Sequence, residues 1–134
     1  MKFNLLSVTF HTNQIRECVS FYEKYFGTRI TFDSEWYVVI RFDSLGNIPL
    51  ELSFQDTSVL DRDIFRGGMS INIGVNDVDT CYNEIKNKGA AFFENITDHE
   101  WGDRAFSLKD PIGNIVYVFS EREVAGKYKE AVKE

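Results

Sequence analysis

Asp43-Ser44-Leu45-Gly46-Asn47-Ile48 and Asp110-Pro111-Ile112-Gly113-Asn114-Ile115 are two copies of one turn, Asp-x-x-Gly-Asn-Ile, 67 positions apart. Moving upstream from both copies, Trp36 falls near Trp101 at an offset of 65. Ile15, Cys18 and Tyr22 fall on Val78, Cys81 and Ile85 at an offset of 63, and Ser7-Val8-Thr9-Phe10 falls on Ser70-Ile71-Asn72-Ile73 at the same offset. The offset rises in small steps, as loop insertions produce. Coincidences in the same order along both halves identify an internal repeat.

Each half reads as the same run of elements. Residues 5–11 and 69–75 alternate apolar with polar and predict half-buried strands. Asn13 and Asn76 are the expected N-caps of helices over 14–26 and 77–88. The apolar stripes of these helices are Ile15, Cys18, Val19, Tyr22, Phe26 and Val78, Cys81, Tyr82, Ile85. Gly27 and Gly89 stop them. Three more strands complete each half, over 29–33, 36–43 and 48–55, then over 90–95, 103–109 and 114–120. The Asp-x-x-Gly-Asn turns close the last two strands of each set into hairpins, with Asn47 and Asn114 as turn residues. Residues 122–134 predict a terminal helix. The expectation is one α+β domain over 1–134, built of paired βαβββ units over 3–56 and 68–121 that form a curled mixed sheet.

Composition narrows the function classes. The chain has 134 residues, 43% of them hydrophobic and 15% aromatic, enough for a core without disulfide or metal staples. The net charge of −6 repels phosphate backbones, so no nucleic-acid partner is expected. No apolar run reaches the length of a membrane span, no cleavage signature opens the chain, and the expected location is the cytoplasm. Cys18 and Cys81 have no metal-type or redox-type spacing and read as small core thiols.

Strand parity separates a core face from a polar and aromatic one. Leu6, Val8 and Phe10 oppose Ser7, Thr9 and His11. Met69, Ile71, Ile73 and Val75 oppose Ser70, Asn72 and Gly74. Leu50, Leu52 and Phe54 oppose Glu51, Ser53 and Gln55, and Val116 and Val118 oppose Tyr117 and Phe119. The apolar sets belong under the helices. The other sets, with Trp36 and Trp101, line a concave cup if the sheet curls, and such a surface suits a small-molecule ligand. Glu51 reads as a base or as the partner of a cationic group, Tyr117 as a hydrogen-bond donor or filler, and Arg41 as a neutraliser of an anionic group. Arg104 is expected to pair with Asp103 or another carboxylate, and His99 to lie exposed in the loop before Trp101.

The order Phe21-Tyr22-Glu23-Lys24-Tyr25-Phe26-Gly27, Val75-Asn76-Asp77-Val78-Asp79 and Asp110-Pro111-Ile112-Gly113-Asn114 resembles the vicinal oxygen chelate superfamily, over about residues 3–121. That superfamily groups glyoxalase I, extradiol dioxygenases, and fosfomycin- and bleomycin-resistance proteins. The resemblance implies a paired βαβββ fold, a homodimer, and in metal-dependent members four metal ligands on the cup. Carried over, those positions hold Ser7, Glu51, Ser70 and Tyr117. Hydroxyls and a phenol are poor ligands for a divalent metal at neutral pH. A slip of two residues brings in His11, with no second His nearby. No metal and no cofactor are therefore expected. Phe65-Arg66-Gly67-Gly68-Met69-Ser70-Ile71-Asn72-Ile73 and Trp101-Gly102-Asp103-Arg104-Ala105-Phe106 look closest to the metal-free bleomycin-resistance branch, which binds an antibiotic without chemistry. The resulting expectation is a metal-free small-molecule binding protein, with an antibiotic among the candidate ligands. The alternative is a lyase or dioxygenase-type enzyme that uses Glu51 as base or metal ligand. The ligand contacts expected are Ser7, Thr9, His11, Trp36, Arg41, Ser53, Ser70, Asn72, Trp101 and Phe119, with Glu51 and Tyr117 as the reactive pair.

Overall fold

The computed structural model describes residues 1–134. The chain divides into two compact units, Met1–Gly67 and Gly68–Glu134. The first runs β1 (Thr9–His11), α1 (Ile15–Phe26), β2 (Arg29–Asp33), β3 (Tyr37–Phe42), β4 (Leu50–Gln55) and a one-turn α2 (Thr57–Leu60). The second runs β5 (Ser70–Gly74), α3 (Val78–Asn87), β6 (Glu94–His99), β7 (Asp103–Lys109), β8 (Ile115–Glu121) and a 3-10 helix over Gly126–Ala131. Each unit carries a four-stranded mixed sheet, ordered β1-β4-β3-β2 and β5-β8-β7-β6. The fold class is α+β and the repeat is a βαβββ unit. The first and last strands of each unit pair in parallel, and the remaining pairs are antiparallel.

The core follows the parity except at strand starts and along β4: Val8, Leu50 and Met69 are exposed, and Ser53 and Gln55 are buried beside Leu52 and Phe54. In the first unit Phe10, Val38, Ile40 and Phe54 are buried together with Ile15, Cys18, Val19 and Tyr22 of α1. Phe10 and Phe54 stack with ring centroids 5.9 Å apart, and Tyr22 meets Phe54 at 6.2 Å and Phe42 at 5.9 Å. In the second unit Val78 and Ile85 of α3 are buried, as are Phe106, Leu108, Val116 and Val118 of the sheet. Tyr82 and Phe92 stack at 4.5 Å, and both meet Phe106 edge-on.

Several boundaries differ from the sequence reading. The strand expected over 5–11 shrinks to Thr9–His11, whose parallel partners are Ser53, Phe54 and Gln55 of β4. The last bond of that ladder runs from the Ser53 amide to the Val8 carbonyl, and Leu5 and Leu6 upstream are exposed. The N-caps are not Asn13 and Asn76. Gln14 caps α1 without a side-chain bond, while the Thr12 hydroxyl accepts from the Gln14 amide. Asp77 caps α3 by accepting from the Thr80 amide, an ionised acceptor at the positive end of the helix. The strand expected over 90–95 starts four residues later. Phe92 is drawn into the aromatic cluster of Tyr82 and Phe106, and the polar run Glu94–His99 forms the edge strand instead.

The C-terminal segment is not an α-helix over 122–134. The Arg122 amide bonds the Gly102 carbonyl and the Ala125 amide bonds the Glu100 carbonyl, which ties 122–125 to the turn between β6 and β7. Only the 3-10 helix follows. Gly102 in that turn has φ +113°, and a Cβ there would lie 2.8 Å from Cγ2 of Val124 and 3.3 Å from the Arg122 carbonyl oxygen.

The two copies of the Asp-x-x-Gly-Asn turn have diverged in use. Asp110 is buried; its Oδ1 accepts from the amides of Ile112 and Asn114, and its Oδ2 accepts from Asn114 Nδ2 at 2.8 Å. Asp43 is exposed and bonds Arg29 at 2.8 Å. Seven residues, 43–49, separate the paired Phe42 and Leu50, whereas five, 110–114, separate Lys109 and Ile115. Pro49, which has no N–H to give a ladder, lies in the longer loop.

Candidate functional site

The strand register decides which polar side chains are neighbours. In the second unit Asn72 pairs with Tyr117 and Gly74 with Phe119, while Ser107 pairs with Tyr117 and Ala105 with Phe119. At the far end of the sheet Asp103 pairs with both Glu121 and His99. All of these residues lie on the sheet face opposite Val116 and Val118, which α3 covers.

Asp103 is the centre of this face. It is buried, and its carboxylate accepts on both oxygens. Oδ1 lies 2.7 Å from Nδ1 of His99; Oδ2 accepts from the Tyr117 hydroxyl at 2.7 Å and from Trp101 Nε1 at 3.1 Å. The Tyr117 oxygen is also 3.4 Å from His99 Nδ1. The imidazole and indole rings of His99 and Trp101 are stacked, centroids 4.2 Å apart and 8° from parallel. Tyr117 and Phe119 continue the aromatic surface at 6.1 Å. Trp101 remains 52% exposed, so a large ring is held rigidly at the surface by a buried carboxylate.

The Tyr117 phenol is pushed up to about 12 by burial first, then by the hydrogen bond and charge of Asp103, with a smaller contribution from Glu94. Its folded value lies above its ordinary value of 10.0, so the native state holds this proton more tightly than the unfolded chain does. The stabilisation is complete below pH 10 and disappears as pH climbs through about 12. Between these limits the wild type is expected to lose stability with pH more steeply than Tyr117→Phe. An ultraviolet tyrosinate titration should show one late-ionising phenol that the variant lacks.

The first unit carries a separate polar face. Glu51 is paired with Arg41 at 3.2 Å and accepts from the Thr31 hydroxyl at 3.4 Å. Thr9 pairs with Ser53 and His11 with Gln55, and Ser53 and Gln55 are buried. Ser7 is exposed ahead of β1, and Trp36, 38% exposed, meets Tyr37 edge-on at 6.1 Å. Of the expected contacts, Trp101, Tyr117 and Phe119 therefore form one cluster with Asn72 beside them. Arg41 and Glu51 form another, and Thr9 neighbours Ser53. Ser70 is exposed at the start of β5, opposite Ile115.

His99 is not in a loop or exposed. It ends β6, and its side chain retains 18% of its accessible surface. Arg104 pairs with carboxylates, as expected, and these are not Asp103. It points to the opposite face, where it bonds Asp79 of α3 at 2.9 Å and Asp98 at 3.2 Å. Asp103 and His99 were both missed as site residues. The signal for Asp103 was parity: counted back from the Asp110–Asn114 turn, it shares a face with Ser107 and Tyr117.

The profile of the Glyoxalase/Bleomycin resistance protein/Dioxygenase superfamily matches residues 4–118. With its paired βαβββ units and polar sheet faces, the chain belongs to that superfamily. Solved structures agree on the fold. A glyoxalase/bleomycin resistance protein/dioxygenase from Nocardioides shares 15% identity with a TM-score of 0.71, over 92% of this chain and 87% of that one. A superfamily member from Sphaerobacter thermophilus shares 20% identity with a TM-score of 0.66, over 89% and 98% of the two chains. TioX from Micromonospora sp. ML1 shares 17% identity with a TM-score of 0.66, over 88% and 99%. No curated protein matches the sequence.

The positions that the superfamily resemblance assigns to metal ligands do not fit a divalent ion. Glu51 is engaged by Arg41, Ser7 and Ser70 offer neutral hydroxyls, and Tyr117 keeps its proton and donates it to Asp103. Register also moves the equivalence. Thr9 pairs with Ser53 as Asn72 pairs with Tyr117, so the counterpart of Tyr117 is Ser53, not Glu51. With either assignment, no group of three or more His, Cys, Asp or Glu side chains is placed to hold a metal. No helix is long and apolar enough to cross a membrane.

Proposed function

We propose that this protein binds a small planar organic molecule without a divalent metal, on the Trp101–Tyr117–Phe119 face of its second unit. The observation that supports this reading is Trp101. Its indole is half exposed, stacked on His99 and anchored through Nε1 to Asp103, so ordering it for a ligand costs little further entropy. An antibiotic of the bleomycin class is one candidate ligand, and a homodimer is the assembly the superfamily resemblance suggests. The test is calorimetry with bleomycin and a panel of other planar cationic compounds. Binding is expected at micromolar protein, and Trp101→Ala should weaken it about tenfold, the equivalent of one aromatic stacking contact. Absence of heat across the panel would overturn the proposal. An enzymatic reading through Glu51 has less support, because Arg41 and Thr31 already occupy that carboxylate.

A further inference from the structure

We propose that His99 and Asp103 form a general base on this face, so that the protein catalyses proton transfer from a bound carbon acid. The inference rests on the reading of the Trp101 face as the ligand site. A carboxylate only accepts, so with Oδ1 of Asp103 2.7 Å from Nδ1 the proton sits on Nδ1 and the Nε2 lone pair is left free. Nε2 has no hydrogen-bond partner in the protein, yet it is not sealed from solvent. The ring cannot turn easily. Trp101 stacks on it at 4.2 Å, and both Trp101 and Tyr117 are tied to the other oxygen of the same carboxylate.

Asp103 is buried and bonds no Lys or Arg, because Arg104 is directed to Asp79 and Asp98 on the other face. An imidazolium formed at His99 therefore becomes the only cation bonded to Asp103. Glu94, which accepts from Ser107 at 2.8 Å, and Glu121, the ladder partner of Asp103, add further negative charge to this face. Together they disfavour an anionic substrate and admit a neutral or cationic planar one with a C–H beside a carbonyl or C=N group. Nε2 takes the proton, the C–H electron pair moves onto the substrate's heteroatom, and the imidazolium returns the proton at another atom. The substrate leaves as its tautomer, and no oxidant or further reactant is consumed.

A neutral planar probe, 5-nitrobenzisoxazole, tests the base directly. Loss of its C3 proton to Nε2 turns the C–H pair into the third bond of a nitrile, breaks the N–O bond and releases coloured 2-cyano-4-nitrophenolate. The wild type is expected to turn the probe over on the order of 10²-fold faster than His99→Gln. Asp103→Asn, which removes the counter-charge of the imidazolium, should lose most of that advantage. The chain has 2 histidines, so acylation by diethylpyrocarbonate can be mapped by mass. His99 should react at Nε2 on the order of tenfold faster than His11, and Asp103→Asn should erase the difference. Equal turnover by wild type and His99→Gln overturns the proposal. If the probe still quenches a fluorescence that Trp101→Ala lacks, the binding face survives that result; if it neither quenches nor reacts, both readings fall.

Discussion

Asp103→Ala is expected to destabilise the protein by about 3 kcal/mol, which is large for one polar side chain. The carboxylate accepts from Trp101, Tyr117 and His99 and is itself buried. Its removal leaves three donors around a small void. Each stranded donor costs about 1–3 kcal/mol when sealed from water, and less where solvent can enter, as it can beside Trp101. Urea denaturation measures the loss. The same variant should bring the Tyr117 phenol back toward its ordinary value and release the indole from its fixed stack on His99, so Trp fluorescence anisotropy should fall. Retention of wild-type stability with an unchanged tyrosinate titration would mean that the three donors do not depend on this acceptor.

The second large effect is Phe54→Ala. Phe54 is fully buried between Phe10 and Tyr22, where β4 crosses beneath α1. Truncating a buried aromatic removes its transfer energy and leaves a cavity that stacked rings cannot refill, a loss of about 4 kcal/mol. Ser53 precedes it in the chain but points to the other face, so Ser53→Ala should cost under about 1 kcal/mol. A comparable loss for both would show that the β4 faces are not divided as the ladder indicates. The midpoint of chemical unfolding, at an unchanged denaturant dependence, is the measurement.

The repeat was legible because duplicated hydrophobic spacing survives even where loop lengths drift. Strands 29–33 and 103–109 stand where their alternation puts them, and the division of Val116 and Val118 from Tyr117 and Phe119 holds in the burial of β8. Position within an edge strand was less legible. Ala90-Ala91-Phe92-Phe93 looks more strand-like than Glu94–His99, but a rule of local propensity does not see Phe92 captured by Tyr82 and Phe106 across the sheet. That four-residue displacement hid His99, whose partnership with Asp103 exists only once β6 and β7 are paired. The same limit applies to the motif carry-over. The turn sequence aligns Asp43 with Asp110, but only the ladder shows that Ser53 is the partner of Thr9.

The tie between Gly102 and the C-terminal segment has a genetic corollary. Every missense change reachable from a glycine codon by one base adds a β-carbon, and here that carbon would meet Val124. Drift at position 102 is therefore closed while Val124 is present, and a smaller residue at 124 would still leave the φ of +113° and the Arg122 carbonyl oxygen 3.3 Å away. Codon 102 is held to glycine by backbone conformation and side-chain contact together, so a single compensating mutation does not release it.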